Sequence, residues 1–122
     1  MIGEINIWLN GEPMITFDDF LKVEIHTGTV LSARLNEKAR KPAYVLEVDF
    51  GDALGVKTTS AQLTDRYTPD DLPGKQVVAV TNFPPLRVAG VKSEVLVLGA
   101  VDDGGVTLLA PDSPVANGLR VA

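Results

Sequence analysis

The chain has 122 residues, 45% of them hydrophobic and 22% charged, with no cysteine and a formal net charge of −5. That length and balance give one folded domain rather than a disordered chain, and the missing thiols exclude disulfides, thiolate nucleophiles and zinc-ribbon sites. The charge has the wrong sign for gripping nucleic acid by bulk electrostatics, but it is unevenly spread: residues 1–33 hold one cation against five carboxylates, residues 34–92 nine against seven, and residues 93–122 one against four.

Met1 to Met14 carries Glu4 and Glu12, no early cation and no long apolar run. No secretory signal and no membrane insertion are expected from it, with a cytoplasmic location as the default. Ile5, Ile7, Trp8 and Leu9 suit an added edge strand within a leader over residues 1–15. Thr16-Phe17-Asp18-Asp19 then has the form of a helix start, with Thr16 as cap and Asp19 three residues on, predicting a short helix to about Lys22. Val23 to Leu35 alternates apolar and polar residues around Gly28, which predicts a long first strand bent at that glycine. His26, the only histidine, falls on the polar phase and lacks the companions of a histidine-ligated metal, so a solvated or locally hydrogen-bonded side chain is expected.

A polar loop, Asn36 to Pro42, leads to a second strand over Ala43 to Phe50, with Tyr44, Leu46, Val48 and Phe50 on one face. A turn over residues 51–55 precedes the third strand, Val56 to Leu63. Thr68-Pro69-Asp70-Asp71-Leu72 places proline at a first helical position and predicts a single helical turn. Gln76 to Thr81 and Glu94 to Val101 are nearly continuous apolar runs, expected as fourth and fifth strands covered on both sides. Between them, Asn82 to Lys92 reads as a rigid cationic loop: Pro84 and Pro85 fix the backbone, Gly90 admits positive φ, and Arg87 and Lys92 supply charge. Asp103-Gly104 favours a hairpin to a sixth strand, Val106 to Ala110, before an extended C-terminal segment over residues 111–122. The acid pairs Asp18-Asp19, Asp70-Asp71 and Asp102-Asp103 all fall in cap or turn contexts.

Five strands with a helical turn between the third and fourth is the order of an all-β, five-stranded oligonucleotide-binding (OB) barrel, here over residues 16–110. Its groove runs across strands two and three, between the loops joining strands one to two and four to five. On that frame Arg34, Lys38, Arg40 and Lys41 border the first groove loop, Arg87 and Lys92 the second, and Lys57 begins the third strand. Seven of eleven cations then either line one locally positive side or scatter around the rim, according to strand phase. Aromatic platforms are few: Tyr44 and Phe83 border the groove, and Tyr44 shares its phase with the core. Recognition of a folded RNA through phosphates, sugars and a few polar groups is favoured over stacking of a single strand.

Ala39-Arg40-Lys41-Pro42-Ala43, Asp49-Phe50-Gly51, Lys57 with Ser60-Ala61-Gln62, Arg66-Tyr67, Asn82 to Pro85 and Gly90 to Gly99 together resemble the tRNA-binding domain family, and within it the short CsaA-like, export-chaperone-related branch. The resemblance covers about residues 17–122. It implies a non-enzymatic homodimer, its interface built by the N-terminal helix and a C-terminal dimerisation extension through Pro114-Val115-Ala116-Asn117-Gly118. It implies tRNA as the partner, with unfolded precursor proteins bound at a dimer groove as the alternative. Carried onto this sequence, it assigns Arg40, Lys41, Arg87 and Lys92 to phosphate, and Ser60, Gln62, Asn82 and Ser93 to sugar or base-edge hydrogen bonds; turn and strand-end hydrogen bonding fits those four polar residues equally. His26 departs from a basic residue common in the family, and Asn36-Glu37 stands where synthetase-linked relatives tend to carry His-Pro. With no nucleophile–base pair, phosphate-cradling glycine motif or metal-ligand spacing, no catalytic residue, cofactor or metal is assigned.

Overall fold

Thr16 starts the first helix by a reciprocal cap. Its hydroxyl accepts the Asp19 N–H at 3.1 Å while the Asp19 carboxylate accepts the Thr16 N–H at 3.0 Å, so two otherwise orphaned donors are satisfied and α1 runs over Phe17–Leu21. A computed structural model describes residues 8–9 and 12–122 of the chain. Of the leader, Trp8–Leu9 (β1) pairs antiparallel with Glu12–Pro13 (β2) as a separate ribbon; the remainder of the expected edge strand lies outside the described residues.

The barrel strands are β3 (Ile25–Leu35), β4 (Tyr44–Asp49), β5 (Val56–Ala61), β6 (Gln76–Val80) and β9 (Leu96–Val97). They pair antiparallel in the order β5-β4-β3-β6-β9. A 3-10 turn at Pro69–Asp71 separates β5 from β6, with the Asp71 carboxylate accepting the Thr68 N–H at 2.9 Å. The ends of the sheet meet without a regular ladder. Instead the Glu94 N–H donates to Thr58 O (2.8 Å), the Thr58 N–H donates to the Glu94 carboxylate (2.8 Å), and the Thr59 hydroxyl donates to Val95 O (2.7 Å). The product is a nearly closed five-stranded antiparallel barrel of the OB type, as the strand order predicts. Val30, Leu46, Val48, Phe50, Leu72 and Val77 are fully buried inside it, and no helix among the described residues is long and apolar enough to cross a membrane.

Three expectations are corrected. The irregularity of the first strand lies beyond Gly28, as a register shift between Val30 and Ser32. Gly28 is instead a packing glycine, since a Cβ there would lie 2.8 Å from both the Phe50 ring and Val48 Cγ1. The fifth strand is not continuous and not covered on both sides. It breaks at Leu98 into β9 and β10 (Gly99–Asp102), and β10 leaves the barrel to pair with β11 (Gly105–Leu108). Gly99 permits that departure because a Cβ would clash with Val106 Cγ1 and Thr107 O, and Leu96 and Val101 remain 49% and 77% exposed. Finally, residues 82–93 are not a simple loop: they contain the hairpin β7 (Leu86–Val88) and β8 (Val91–Ser93).

The C-terminal segment runs along its own barrel wall and ends in β12 (Arg120–Val121), paired with β3. Thr27 holds it by donating to Ala116 O (2.8 Å) and accepting the Leu119 N–H (3.0 Å), while the Gln76 side chain brackets Val115 through both of its backbone polar groups. Gly118 sits at φ +85°, where a Cβ would stand 2.5 Å from Phe50 O. Gly118→Ala is therefore expected to destabilise the fold by about 2 kcal/mol or more, combining left-handed strain with a backbone clash, read as a lower urea midpoint. The Thr16 and Thr68 backbone bonds hold the Asp19 and Asp71 carboxyls below their ordinary value of 3.8. A depressed folded pKa gives stability that is complete above the unfolded value and is lost as pH falls through the folded one. An Asp19→Asn/Asp71→Asn variant is expected to show a flatter acid limb below pH 3.8 in stability-versus-pH titrations.

Candidate nucleic-acid interface

Asn36, just after β3, is a buried polar residue, 6% exposed, and folds the loop that follows. Its N–H donates to Ala43 O (2.9 Å), its carbonyl accepts the Ala39 N–H (3.2 Å) and its Oδ1 accepts the Lys38 N–H (3.1 Å). Its Nδ2 reaches the other groove loop, donating to Ala89 O at 3.4 Å. One residue, through its backbone and side chain together, thus shapes residues 36–43 and ties them to the tip of the β7–β8 hairpin.

The hairpin turns through Ala89 and Gly90 at φ +46° and +83°, the two positive values a tight two-residue turn requires. Period-two alternation gives it two faces. Leu86 pairs with Ser93 and Val88 with Val91 on one face, while Arg87 stands directly opposite Lys92 on the other. The Arg87 guanidinium curls to the turn and donates to Gly90 O at 3.2 Å. Lys38 arrives from the other loop, its Cδ and Nζ 3.3 and 3.7 Å from where a Gly90 Cβ would be.

Two cavities flank this meeting point. One, of about 450 Å³, lies between the loops and is lined by Arg34, Asn36, Glu37 and Lys38 facing Ala89 to Val91. The other, of about 280 Å³, is lined by Arg34, Thr58, Glu94 and Gly90 to Lys92. Arg34, Lys38, Arg87 and Lys92 therefore gather around the hairpin tip, and among the described residues no ion pair engages them. The Glu94 carboxylate is held by the Thr58 N–H.

The remaining predicted site residues are dispersed. Arg40 is exposed in the first loop. Lys41 and Gln62 line a different cavity, of about 350 Å³, with Asp65, Asp102 and Asp103; there Arg66 pairs with Asp102 at 2.8 Å and holds its carboxyl below the usual carboxylate range. Lys57 lies opposite Val48, on the phase of buried Thr59 and not on that of Thr58 and Ser60. Asn82 has both ends of its amide engaged, Oδ1 accepting the Glu24 N–H (3.0 Å) and Nδ2 donating to Lys22 O (2.7 Å). Ser93 is likewise occupied. Thr59 gives its proton to Val95 O, so the Ser93 hydroxyl donates to Thr59 Oγ1 (3.2 Å) and accepts the Ser60 N–H (3.1 Å). Strand-end bonding thus describes Asn82 and Ser93. Of its two expected states His26 has the hydrogen-bonded one: its Nδ1 lies 2.8 Å from Thr81 Oγ1, which is also within 3.2 Å of Glu24 O. Tyr44 is core, 6% exposed, its hydroxyl donating to Tyr67 O.

On the far side of the hairpin from Arg87, a groove of about 520 Å³ is walled by Phe83, Pro84, Pro85, Leu86 and Leu96, with Ser60 at its edge. Phe83 and Leu86 are 53% and 66% exposed. The sequence reading missed this groove and the role of Asn36. The signals available were the apolar phase of Leu86 and Val88 and an asparagine at a strand end, where its side chain closes a local turn.

A family model described as "Putative tRNA binding domain" matches residues 25–120. The chain belongs to the tRNA-binding domain family. Within it, the barrel is structurally close to two solved proteins described as CsaA chaperones. That of Bacillus anthracis is 54% identical over 89% of this chain and 99% of the relative, at a TM-score of 0.84; that of Picrophilus torridus is 46% identical over 89% and 100%, at 0.85. The methionine–tRNA ligase of Porphyromonas gingivalis is 39% identical over 108 residues, 88% of this chain. The chain spans about 15% of the length of that ligase and of the Pyrococcus abyssi ligase, which is 36% identical over 110 residues.

Replacing Asn36 by alanine leaves the Lys38 N–H and Ala89 O without their partner. The variant is expected to lose about 1–3 kcal/mol of stability and to show faster amide hydrogen exchange at the hairpin tip and in residues 36–43 than elsewhere in the barrel.

Proposed function

We propose that this chain is a non-enzymatic tRNA-binding OB-fold protein that holds structured RNA on the cationic surface where the 36–43 loop meets the β7–β8 hairpin. The observation that carries this reading is the gathering of Arg34, Lys38, Arg87 and Lys92 around Gly90 with no carboxylate paired to them among the described residues. Arg40, exposed in the same loop, extends the phosphate-contacting surface, whereas Lys41 and Gln62 face the cavity with Asp65, Asp102 and Asp103, Ser60 edges the apolar groove and Lys57 lies on the inward phase of β5. Asn82 and Ser93 act by position, fixing the linker before β3 and the base of the hairpin. Because the whole protein is acidic, attraction to RNA is local and short-ranged, and is screened within about 10 Å at 0.1 M salt. In this reading the protein works in the cytoplasm as a homodimer. Ile15, Phe17 and Leu21 around α1 and Val115 and Leu119 in the C-terminal segment are exposed apolar residues that suit burial against a second copy.

A second reading is favoured by one observation, the apolar groove beside Phe83 and Leu86. Extended segments of unfolded precursor proteins suit such walls, and the Bacillus anthracis and Picrophilus torridus relatives are described as chaperones.

Fluorescence anisotropy of labelled tRNA, titrated at low and at physiological salt, separates the two. The RNA reading expects salt-dependent binding whose log–log slope falls by about 2 in the Arg87→Ala/Lys92→Ala variant, near one unit per phosphate contact removed. Absence of binding at low salt overturns it. Suppression of aggregation of an unfolded precursor that is insensitive to the same substitutions supports the chaperone reading.

A further inference from the structure

We propose that the tip of the β7–β8 hairpin is a cradle for a doubly charged phosphate group, a phosphomonoester such as the 5′ end of an RNA, enclosed by Lys38, Arg87 and Lys92 around Gly90. The proposal rests on the RNA-binding reading and names the ligand group that the centre of that surface selects. Arg87 and Lys92 are direct cross-strand partners, a placement that brings Cβ atoms to about 4.5–5.5 Å and is unfavourable for like charges. A third cation is added from the other loop, with Lys38 Nζ 3.7 Å from the Gly90 Cβ position and Arg87 Nη1 3.2 Å from Gly90 O. Arg34 lines both adjoining cavities.

The bordering carboxylates are Glu37 and Glu94. Neither forms an ion pair with these cations among the described residues, and Glu94 is held by the Thr58 N–H. Lys38 and Arg87 approaching Gly90, with Lys92 across the hairpin from Arg87, repel one another until an anion enters, and a dianion offsets that repulsion more fully than the single charge of an internucleotide phosphate. The tip is also built to stay in place. Ala89 is held at φ +46°, where a non-glycine residue is strained, and Asn36 fastens its carbonyl to the opposite loop. Gly90 completes the cradle, since a Cβ there would stand 3.3 Å from Lys38 Cδ and crowd that side chain, at a φ of +83° that an L side chain rarely adopts.

The test compares one short RNA carrying either a 5′-phosphate or a 5′-hydroxyl, together with inorganic phosphate followed through the Lys38 and Gly90 amide resonances. The second phosphate pKa of about 6 sets the pH at which the monoester gains its second negative charge. Above that pH the 5′-phosphorylated RNA is expected to bind about tenfold tighter than its 5′-hydroxyl twin. The preference shrinks as pH falls and the monoester becomes a monoanion. Gly90→Ala is expected to weaken the preference. Gly55→Ala, at φ +75° with nothing within 4 Å of the added Cβ, carries comparable backbone strain and is expected to keep it. Equal affinity for the two RNAs above that pH, or no resonance shift with inorganic phosphate, overturns the cradle. If tRNA then still binds with salt dependence, RNA recognition stands on diester phosphates alone; if tRNA does not bind either, the RNA-binding reading falls with it.

Discussion

The short seam between β5 and residues 93–95 decides most of what this structure presents. The five-stranded sheet closes there through alternating backbone and side-chain bonds: Glu94 exchanges two hydrogen bonds with Thr58, Thr59 reaches Val95 O, and Ser93 bridges Thr59 and the Ser60 N–H. Polar atoms in a barrel wall need partners whether or not a regular ladder forms, and side chains supply them here. Because Ser93 is both a seam residue and the end of β8, the seam also fixes where the hairpin leaves the barrel and which way its faces point.

From that anchoring the two surfaces of the hairpin follow. Strand alternation sends Leu86, Val88, Val91 and Ser93 to one side and Arg87 and Lys92 to the other. The apolar side walls a groove with Phe83 and the two prolines, and the cationic side meets Lys38 and Arg34 from the opposite loop. An acidic chain thereby gathers four cations on one side of the hairpin beside Glu37 and Glu94, while other carboxylates serve the α1 cap, the Pro69 turn and the Arg66–Asp102 pair. Asn36 connects the halves of that face, so its role is mechanical, while the charge comes from its neighbours.

Much of this architecture is legible in the sequence where the signal is local. The Thr16 and Thr68 caps, the β4 core phase and the order of the barrel strands depend on spacing within a few residues. The breaks are less legible because their causes lie far along the chain. The fifth-strand run is interrupted by Gly99 against Val106 and Thr107, and Gly28 serves Phe50, more than twenty residues distant. The cationic residues were identifiable by type, yet grouping them required strand phase. Lys57 falls on the inward phase of β5 and Lys41 faces an acidic cavity, so the four that converge are a subset of the seven expected to line one side.

The amino-acid sequence by itself determined the helix starts, the antiparallel strand set and the family, because capping, period-two burial and short motifs are encoded in near neighbours. Only the tertiary structure decided that Asn82 and Ser93 are fastening residues, that the Asn82–Lys92 loop is a two-faced hairpin, and that Lys38 and Arg87 converge on one glycine. Those outcomes depend on which distant backbone groups remain to be satisfied once the barrel closes, and closure is a property of the whole sheet.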